Sequence, residues 1–376
     1  MLAKKRRKNR INTATFTVHD LKFRLYINLF YIFTINAMEK ILYINFNQTD
    51  NCFFIGTKRG YQIYNTSPLK KISERIFPEG ICLMTMLFKT NILLLVKKNT
   101  YDNRTNENKV VLWDDSEKKT IGEINCKTKI KSLFVRKDYI TIVLRKRVYI
   151  YNLSDLKLHK SFETGDNNKS LCSITSIKEK FILALPTKMT GSLEIHDILS
   201  SSKPINIQAH ESNLNTMTLN DDGTLLATAS VRGTLIRIFD TENGSMTKEL
   251  RRGTKANQIK NLKFNENSDL LACFSLSGTI HLFNTGYQKK SKNNISFFGT
   301  SIGTLNSVIP YFTPSYIKSE WAFFKYYITP ENSIITIRDD LIIAINKNGN
   351  YYKLRYRVKE PEYILENKIN IFFWFF

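Results

Sequence analysis

The sequence predicts an all-β fold, a seven-bladed β-propeller of the WD40 type, on the basis of three observations. A pattern recurs along the chain: a Gly or basic turn, an alternating apolar strand, and then Asp or Asn. The first five intervals between equivalent residues are 38 to 49 residues long, which is the spacing of WD-type blades. Phe and Tyr are abundant, with 25 and 18 residues, and aromatic residues favour strands.

Seven copies of this pattern follow one another, and each is expected to be the third strand of a blade. Residues of such a strand alternate between the two packed faces. One four-stranded blade cannot bury both of its faces, so seven blades must pack radially around one core. The copies are Gly60–Asn65, Val110–Asp114, Arg147–Asn152, Gly191–Asp197, Gly233–Asp240, Gly278–Asn284 and Gly349–Leu354.

These repeats place the propeller at residues 38–358. Residues 1–37 are expected to be a basic and apolar extension that need not belong to the mature fold. Its apolar stretch, Leu25–Phe33, is too short to span a bilayer as a helix. The last repeat interval is longer, about 71 residues, because of an insertion that we place at 286–310. Residues 359–376 are expected to be a C-terminal tail.

The formal charge of +23 predicts an anionic partner. Residues 1–37 hold eight Lys and Arg and one Asp, a net of +7, so the remaining chain keeps 23 − 7 = +16. The globular part is therefore basic in its own right. Nucleic acid and acidic lipid are both suitable partners, and charge alone does not choose between them.

The sequence offers little support for catalysis or metal binding. Its five Cys residues are scattered without a C-x-x-C pair, which favours buried thiols in a reducing compartment over a zinc site. There is no P-loop, H-E-x-x-H, G-x-S-x-G or Rossmann glycine pattern. We therefore expect a non-enzymatic protein that needs no metal and no cofactor.

One central stretch carries a family resemblance. It runs from His210 through residues 219–241 to Leu250-Arg251-Arg252-Gly253 and on to residues 261–284. The chain resembles the PROPPIN family (the WIPI proteins), phosphoinositide-binding propellers of autophagy and endosomal membranes. The family hallmark is Phe/Leu-Arg-Arg-Gly between blades five and six, here in its Leu form. Similar stretches are 45–69, 110–115, 147–172 and 308–328.

The arginine pair is expected to serve two binding sites. Consecutive residues of an extended segment point to opposite sides, so Arg251 and Arg252 should enter two neighbouring pockets. A guanidinium binds phosphate through paired hydrogen bonds. We expect Gly253 to supply a positive φ or a close approach that a side chain would block.

The resemblance implies which residues complete these two pockets on the rim. Hydroxyl groups suit the task because they donate to phosphate without changing the net charge. Alternatively, the Ser and Thr residues only close turns between strands, and His281 only satisfies a core hydrogen bond. If His281 faces a phosphate, lipid binding should be tighter near pH 6 than near pH 7.5. The first pocket combines His210, Ser230, Gly233, Thr234, Arg237 and Arg251, and the second combines Arg252, Ser275, Ser277, Thr279 and His281.

The long loop at 286–310 is expected to face the membrane. Phe297 and Phe298 would enter the interface, while Lys289, Lys290 and Lys292 meet anionic lipid. Each basic residue near such a surface contributes about 1 kcal/mol. Packing of the two Phe residues beneath the loop is the alternative.

The expected function is that of a phosphoinositide effector. It would bind phosphatidylinositol 3-phosphate and/or phosphatidylinositol 3,5-bisphosphate on cytoplasmic membrane surfaces such as pre-autophagosomal, endosomal or vacuolar membranes. As a monomer in solution, it would act as a scaffold in autophagy or organelle maintenance, with a lipid-transfer or scaffold protein on a blade edge. Thr49 stands where many family members carry Asp, at an edge implicated in docking that partner.

A general WD-repeat protein-interaction scaffold, with or without RNA binding through its basic surface, is the alternative function. Such binding should depend on the total basic charge and fall steeply with salt. Nucleic acid is the less favoured partner, because the arginine pair lies among hydroxyls and not among base-stacking aromatic residues.

Overall fold

Short strands account for all the regular structure in the described part of the chain. The computed structural model describes residues 40–99, 107–177, 179–287, 319–357 and 363–372. The chain divides into two units, residues 1–40 and 41–376, and every described strand belongs to the second. These strands form seven sheets, each with four antiparallel strands in sequence order, and the fifth sheet gains one short parallel strand. The seven sheets are the blades of a propeller.

Blades 1 to 3 span residues 41–163. Their strands are β1 (Ile41–Phe46), β2 (Cys52–Thr57), β3 (Gly60–Asn65) and β4 (Lys70–Ile76) in blade 1; β5 (Gly80–Met86), β6 (Ile92–Lys98), β7 (Lys109–Asp114) and β8 (Lys119–Asn125) in blade 2; and β9 (Ser132–Val135), β10 (Tyr139–Val143), β11 (Arg147–Asn152) and β12 (Leu158–Glu163) in blade 3.

Blades 4 to 7 follow in the same order. Their strands are β13 (Ser173–Ile174), β14 (Ile182–Pro186), β15 (Ser192–Asp197) and β16 (Ile205–Gln208) in blade 4; β17 (Leu214–Leu219), β18 (Leu225–Ser230), β19 (Leu235–Asp240), β20 (Met246–Arg251) and the added β24 (Glu320–Trp321) in blade 5; β21 (Ile259–Phe264), β22 (Leu270–Ser275), β23 (Thr279–Asn284) and β25 (Phe324–Tyr327) in blade 6; and β26 (Ser333–Arg338), β27 (Leu341–Asn346), β28 (Asn350–Tyr356) and β29 (Tyr363–Asn370) in blade 7.

The seven-bladed propeller predicted from the sequence is confirmed. All seven copies of the repeated pattern fall on third strands, namely β3, β7, β11, β15, β19, β23 and β28. The first strands of all seven blades line a central cavity of about 310 Å³. Second strands such as β18 are buried along their whole length, whereas the outer strand β4 alternates between exposed and half-buried residues. Burial therefore decreases from the middle of a blade towards the rim.

The apolar core consists of seven clusters, one between each pair of neighbouring blades. The cluster between blades 7 and 1 closes the ring. There the Tyr351 hydroxyl donates to the Thr66 carbonyl at 2.6 Å, and Lys347 Nζ donates to the Leu42 carbonyl at 3.1 Å. Each blade takes its four main strands from one stretch of the chain, in some blades with an insertion, so blades 7 and 1 share no strand. Side-chain packing and these hydrogen bonds therefore join blade 7 to blade 1 and close the ring.

The expected end of the propeller at residue 358 is wrong. β29 pairs with β28 from Asn350↔Asn370 to Tyr356↔Tyr363 and supplies the outer strand of blade 7. Residues 363–370 therefore belong to the propeller and not to a C-terminal tail. Exposed residues such as Ile364 and the charged Glu366 and Lys368 made this segment look like a tail, but an outer strand has few buried positions to reveal it.

A buried arginine joins blades 3 and 4. The Arg136 side chain is fully buried, its Nε donates to Asp138 Oδ1 at 2.6 Å, and its Nη1 donates to the Lys180 carbonyl at 3.0 Å. The guanidinium also lies 4.2 Å from the centre of the Phe181 ring. A buried charge needs such partners, since leaving it unpaired costs several kcal/mol.

Candidate functional site

The arginine pair lies where the last main strand of blade 5 ends. Arg251 is the final residue of β20 and is paired with Leu235 of β19, while Arg252 follows it in the connection to blade 6. The neighbouring Leu250 packs in the core between blades 5 and 6. Because side chains alternate along a strand, Arg251 projects to the opposite face, towards blade 4.

Three of the predicted first-pocket residues, Ser230, Arg237 and Arg251, lie along that same face. Gly233 instead lies at the cleft towards blade 6, where its carbonyl accepts a hydrogen bond from Arg252. Residues directly opposite one another in a ladder share a face. The ladders of blade 5 pair Thr228 with Arg237, and Arg237 with Glu249. Ser230 lies two residues beyond Thr228 and Arg251 two residues beyond Glu249, so both share this face. Within the described part of the chain, the buried Nε of Arg251 has no hydrogen-bond partner.

Arg237 is held by partners that the sequence did not reveal. Its Nε donates to Glu249 Oε2 at 3.0 Å, and its Nη1 donates to the carbonyl of Ala209 at 2.7 Å. The Ser319 hydroxyl donates to the other Glu249 oxygen at 2.8 Å. Arg237 therefore spans blades 4 and 5, and its charge is partly neutralised in the free protein.

His210 closes the inner end of the cleft between blades 4 and 5. Its ring is buried, and Nε2 lies 2.9 Å from the hydroxyl of Thr228. Burial is the main cause and the charge of Arg237 the next, and together they lower the pKa of His210 to about 4. The imidazole is therefore neutral at physiological pH.

Arg252 reaches the other way, into the cleft between blades 5 and 6. Its Nε donates to the carbonyl of Gly233 at 2.8 Å, and one Nη donates to the carbonyls of Lys255 at 2.6 Å and Asn257 at 3.3 Å. Burial lowers the pKa of Arg252 from its ordinary high value, yet it remains charged. Three carbonyl acceptors thus fix the guanidinium without neutralising it.

A cluster of hydroxyls lies across this second cleft. Ser275 Oγ is 2.5 Å from Thr279 Oγ1 and 3.0 Å from Ser277 Oγ. Ser277 Oγ also accepts a hydrogen bond of 2.5 Å from Asn257 Nδ2. The hairpin between β22 and β23 therefore presents three linked hydroxyls, and Asn257 ties them to the connection that carries Arg252.

His281 is the most exceptional side chain of the second cleft. It is 3% exposed, and neither ring nitrogen has a hydrogen-bond partner among the described residues. Burial is the main cause and the positive charges of Arg252 and Lys325 add to it, and together they lower the pKa of His281 to about 4. The core hydrogen bond considered as an alternative for His281 is thus not formed within the described structure. Buried polar nitrogens are normally hydrogen-bonded.

The two glycines of the site differ in their surroundings. Gly233 has φ = +60°, and a Cβ there would lie 2.0 Å from the Asn257 carbonyl oxygen. Gly253 has no positive φ, and a Cβ there would meet no atom within 4 Å among the described residues. The conformational role expected for Gly253 is therefore wrong, and Gly233 fills that role.

Several residues of the two clefts were missed by the sequence analysis. Thr228, Glu249, Asn257 and Lys325 all contact or influence predicted site residues. For Thr228 and Glu249 the alternation along β18 and β20 was an available signal, since each lies two residues from a predicted site residue. Lys325 could not be found in this way, because it reaches His281 through the pairing of β23 with β25 across the long insertion.

Two other predicted features have different outcomes. Lys289, Lys290, Lys292, Phe297 and Phe298 lie outside the described residues, as does most of the predicted loop at 286–310. Thr49 lies in the turn between β1 and β2, where its hydroxyl accepts hydrogen bonds from Asn47 and Asn51 at 3.2 and 3.0 Å. That turn lines a second cavity of about 780 Å³, next to the central cavity and away from the two clefts.

Neither a metal cluster nor a membrane-spanning helix is found in the parts of the chain that the structure describes. Within those ranges no three His, Cys, Asp or Glu side chains gather closely enough to hold a metal ion. No helix in them has the length and apolar character needed to cross a bilayer.

Known proteins resemble this chain in sequence and in fold. The PROPPIN family model matches residues 41–317. Autophagy-related protein 18e of Arabidopsis thaliana is 28% identical over 339 residues, covering 89% of this chain and 88% of the relative. The structure of Kluyveromyces lactis Hsv2 with its complete loop 6CD has a TM-score of 0.72 at 22% identity, covering 89% of this chain and 99% of that chain. KlAtg21, solved in complex with the coiled coil of AgAtg16, has a TM-score of 0.67 at 23% identity, with coverage of 89% and 99%.

The family match extends over about three quarters of the chain, from β1 into the long insertion of blade 6. It includes both clefts except for β25 and β24, which follow the insertion. The chain is a member of the PROPPIN family.

Proposed function

We propose that this protein is a phosphoinositide effector with two headgroup sites on its rim, one in each cleft beside blade 5. The observation that carries the proposal is the opposed placement of Arg251 and Arg252. Each cleft combines one of these arginines with hydroxyl groups. Each also holds a buried nitrogen without a hydrogen-bond partner among the described residues, which is Arg251 Nε in the first cleft and the ring nitrogens of His281 in the second. A phosphorylated inositol offers acceptors to all of these donors.

The two sites are proposed to act together on one membrane. They flank a single strand, so a propeller standing edge-on can present both to the same lipid surface. The second binding event is then intramolecular, and two weak sites give a much higher apparent affinity. The proposed ligands are phosphatidylinositol 3-phosphate and phosphatidylinositol 3,5-bisphosphate. They would be bound by the two arginines of the Leu-Arg-Arg-Gly motif.

The proposed cellular role is that of a non-catalytic scaffold recruited to autophagic or other organelle membranes. Support comes from the family and from the autophagy-related relatives. KlAtg21, which shares the fold, is found in complex with a coiled coil of Atg16. We propose that this chain likewise holds a partner protein on a blade edge while its rim contacts lipid.

The test is co-sedimentation with vesicles that contain either phosphoinositide, or phosphatidylserine at matched charge. Arg251→Thr/Arg252→Thr is the test variant, and Arg145→Thr/Arg147→Thr is the control, since both control arginines are surface residues that are about half exposed. We expect selective binding to phosphoinositide that only the test variant loses. Equal loss in both variants, or binding that follows total anionic charge, would instead favour the RNA-binding or general scaffold function.

His281 gives the proposal a pH dependence. In the free protein its pKa of about 4 keeps the ring neutral at pH 6, so protonation before binding does not explain tighter binding at pH 6. A bound phosphate would offset the charges of Arg252 and Lys325 and raise this pKa towards the ordinary 6.5. Binding then takes up a proton, and affinity should rise as the pH falls from 7.5 to 5.5. A His281→Gln variant should show a flatter profile, whereas equal profiles would exclude this role.

A further inference from the structure

The segment that returns from the long insertion is fixed against the candidate site. β24 runs parallel to β20, with Glu320 opposite Leu250 and Trp321 opposite Arg251. Lys248 Nζ forms an ion pair with Glu320 at 2.7 Å. The hydrogen bond from Ser319 to Glu249 adds a further contact. Residues 319–321 therefore form the outermost strand of blade 5 beside the first cleft.

Each cleft has a large, exposed aromatic ring beside it. Trp321 is 52% exposed and shares the face of its ladder partner, Arg251. Tyr327 is 60% exposed and is paired with Thr279, so it lies on the face that carries the hydroxyls of the second cleft. Leu276, in the hairpin between Ser275 and Ser277, is 46% exposed. Large apolar side chains thus accompany both arginines on the rim.

The charge of the surrounding surface indicates what these rings contact. Lys325 lies two residues before Tyr327 on β25 and is exposed. Lys255, on the connection that follows Arg252, is exposed as well. Glu320 is the acidic neighbour, and it is paired with Lys248. A basic surface with exposed Trp and Tyr matches an anionic lipid surface, because these two residues favour the boundary between headgroups and hydrocarbon.

We propose that Trp321 and Tyr327 are interfacial anchors that enter the headgroup region of an anionic bilayer when the two clefts hold phosphoinositide. The proposal rests on the proposed function and adds to it a membrane contact on the folded rim, distinct from the long insertion. Two rings, one beside each cleft, would fix the orientation of the disc as well as its affinity. Stable peripheral attachment generally takes more than one such signal.

The first test separates ring insertion from headgroup recognition. Trp321→Ser/Tyr327→Ser is compared with Ile121→Ser/Met246→Ser, which removes two large side chains of similar exposure, one on blade 2 and one at the far end of β20. We expect the test variant to bind a soluble short-chain phosphatidylinositol 3-phosphate within about twofold of wild type. Its binding to vesicles containing the same lipid should fall at least about tenfold, and the control should match wild type in both assays.

Two outcomes of this test would overturn the anchor proposal. Vesicle binding equal to wild type would show that the rings do not contact lipid. Loss of soluble-lipid binding together with vesicle binding would assign the rings to the headgroup sites or to the fold. A flat titration of the wild type with soluble lipid would contradict the proposed function instead, and the second test then decides the anchor proposal.

The second test detects insertion directly. The chain has three Trp residues, so Trp113→Phe/Trp374→Phe leaves Trp321 as the only Trp fluorophore. On vesicles of phosphatidylcholine and phosphatidylserine that also contain phosphoinositide, we expect a blue-shifted emission that lipids brominated high on the acyl chain quench. Without phosphoinositide, the shift and the quenching should be smaller. Emission that stays unshifted and unquenched while the protein co-sediments with the vesicles would overturn the proposal.

Discussion

Replacing Gly233 by Ala should disrupt the second cleft from within the fold. Gly233 has φ = +60°, and the new Cβ would lie 2.0 Å from the carbonyl oxygen of Asn257. Real Cβ atoms do not approach an oxygen so closely, so the segment from Arg252 to Asn257 must move. That segment positions the guanidinium of Arg252, which donates to the carbonyls of Gly233 and Asn257.

The cost of this substitution can be worked out from its parts. A left-handed conformation costs a residue with a Cβ about 1–2 kcal/mol, and a forced backbone shift in a packed site costs about 1–3 kcal/mol. Replacing Gly by Ala returns about 0.4–1 kcal/mol by restricting the unfolded chain. The free energy of unfolding should therefore fall by about 1–4.6 kcal/mol, with about 3 kcal/mol in the middle of that range.

Gly253→Ala is the matched control, because Gly253 follows Arg252 directly in the connection between β20 and β21. Its Cβ would meet no described atom within 4 Å, so the free energy of unfolding should stay the same or rise slightly. Urea unfolding of both variants measures the difference, and titration with soluble phosphatidylinositol 3-phosphate reports on the cleft. A Gly233→Ala variant with wild-type stability and wild-type headgroup affinity would refute the reasoning.

Two further predictions concern stability. His210 and His281 have pKa values of about 4 in the folded protein, below the ordinary 6.5. Because the unfolded chain binds protons more readily than the folded protein, lowering the pH favours unfolding. The contribution of each histidine to the free energy of unfolding should be fully present above pH 6.5 and fall by up to about 3 kcal/mol as the pH drops to 4. Urea unfolding at pH 7.5 and 4.5 measures this loss, and a loss of equal size in His210→Gln/His281→Gln would contradict it. Arg136→Ala should lower the free energy of unfolding by about 3–5 kcal/mol, because buried partners lose their donor, whereas Arg145→Ala on the surface should leave the urea midpoint near wild type. Equal midpoints for the two arginine variants would show that the contacts of Arg136 stabilise little.

The fold was predictable because the third strand of every blade carries the same short sequence pattern. Third strands such as β19 and β23 alternate apolar residues beside a Gly turn, and the structure places every predicted copy in that position. The outer strand β29 was missed because residues such as the half-buried Glu366 and the exposed Lys368 carry little periodic signal. Its place follows only from pairing with β28.

The candidate site was predictable in its main residues but not in its partners. Alternation places Arg251 and Arg252 on opposite sides, because it depends only on strand geometry. The pairing of Arg237 with Glu249 and the approach of Lys325 to His281 depend on ladder register, which the sequence does not give. The same holds for Trp321, whose position beside Arg251 depends on a parallel pairing that closes across the long insertion.

The most direct test of the central claim is the number of headgroups that one propeller binds. Isothermal titration of the full chain with soluble phosphatidylinositol 3-phosphate should give two sites per chain. Arg251→Ala and Arg252→Ala should each leave one site, and the double variant should leave none. A single site in the wild type, or two sites retained in either single variant, would contradict the assignment of one arginine to each cleft.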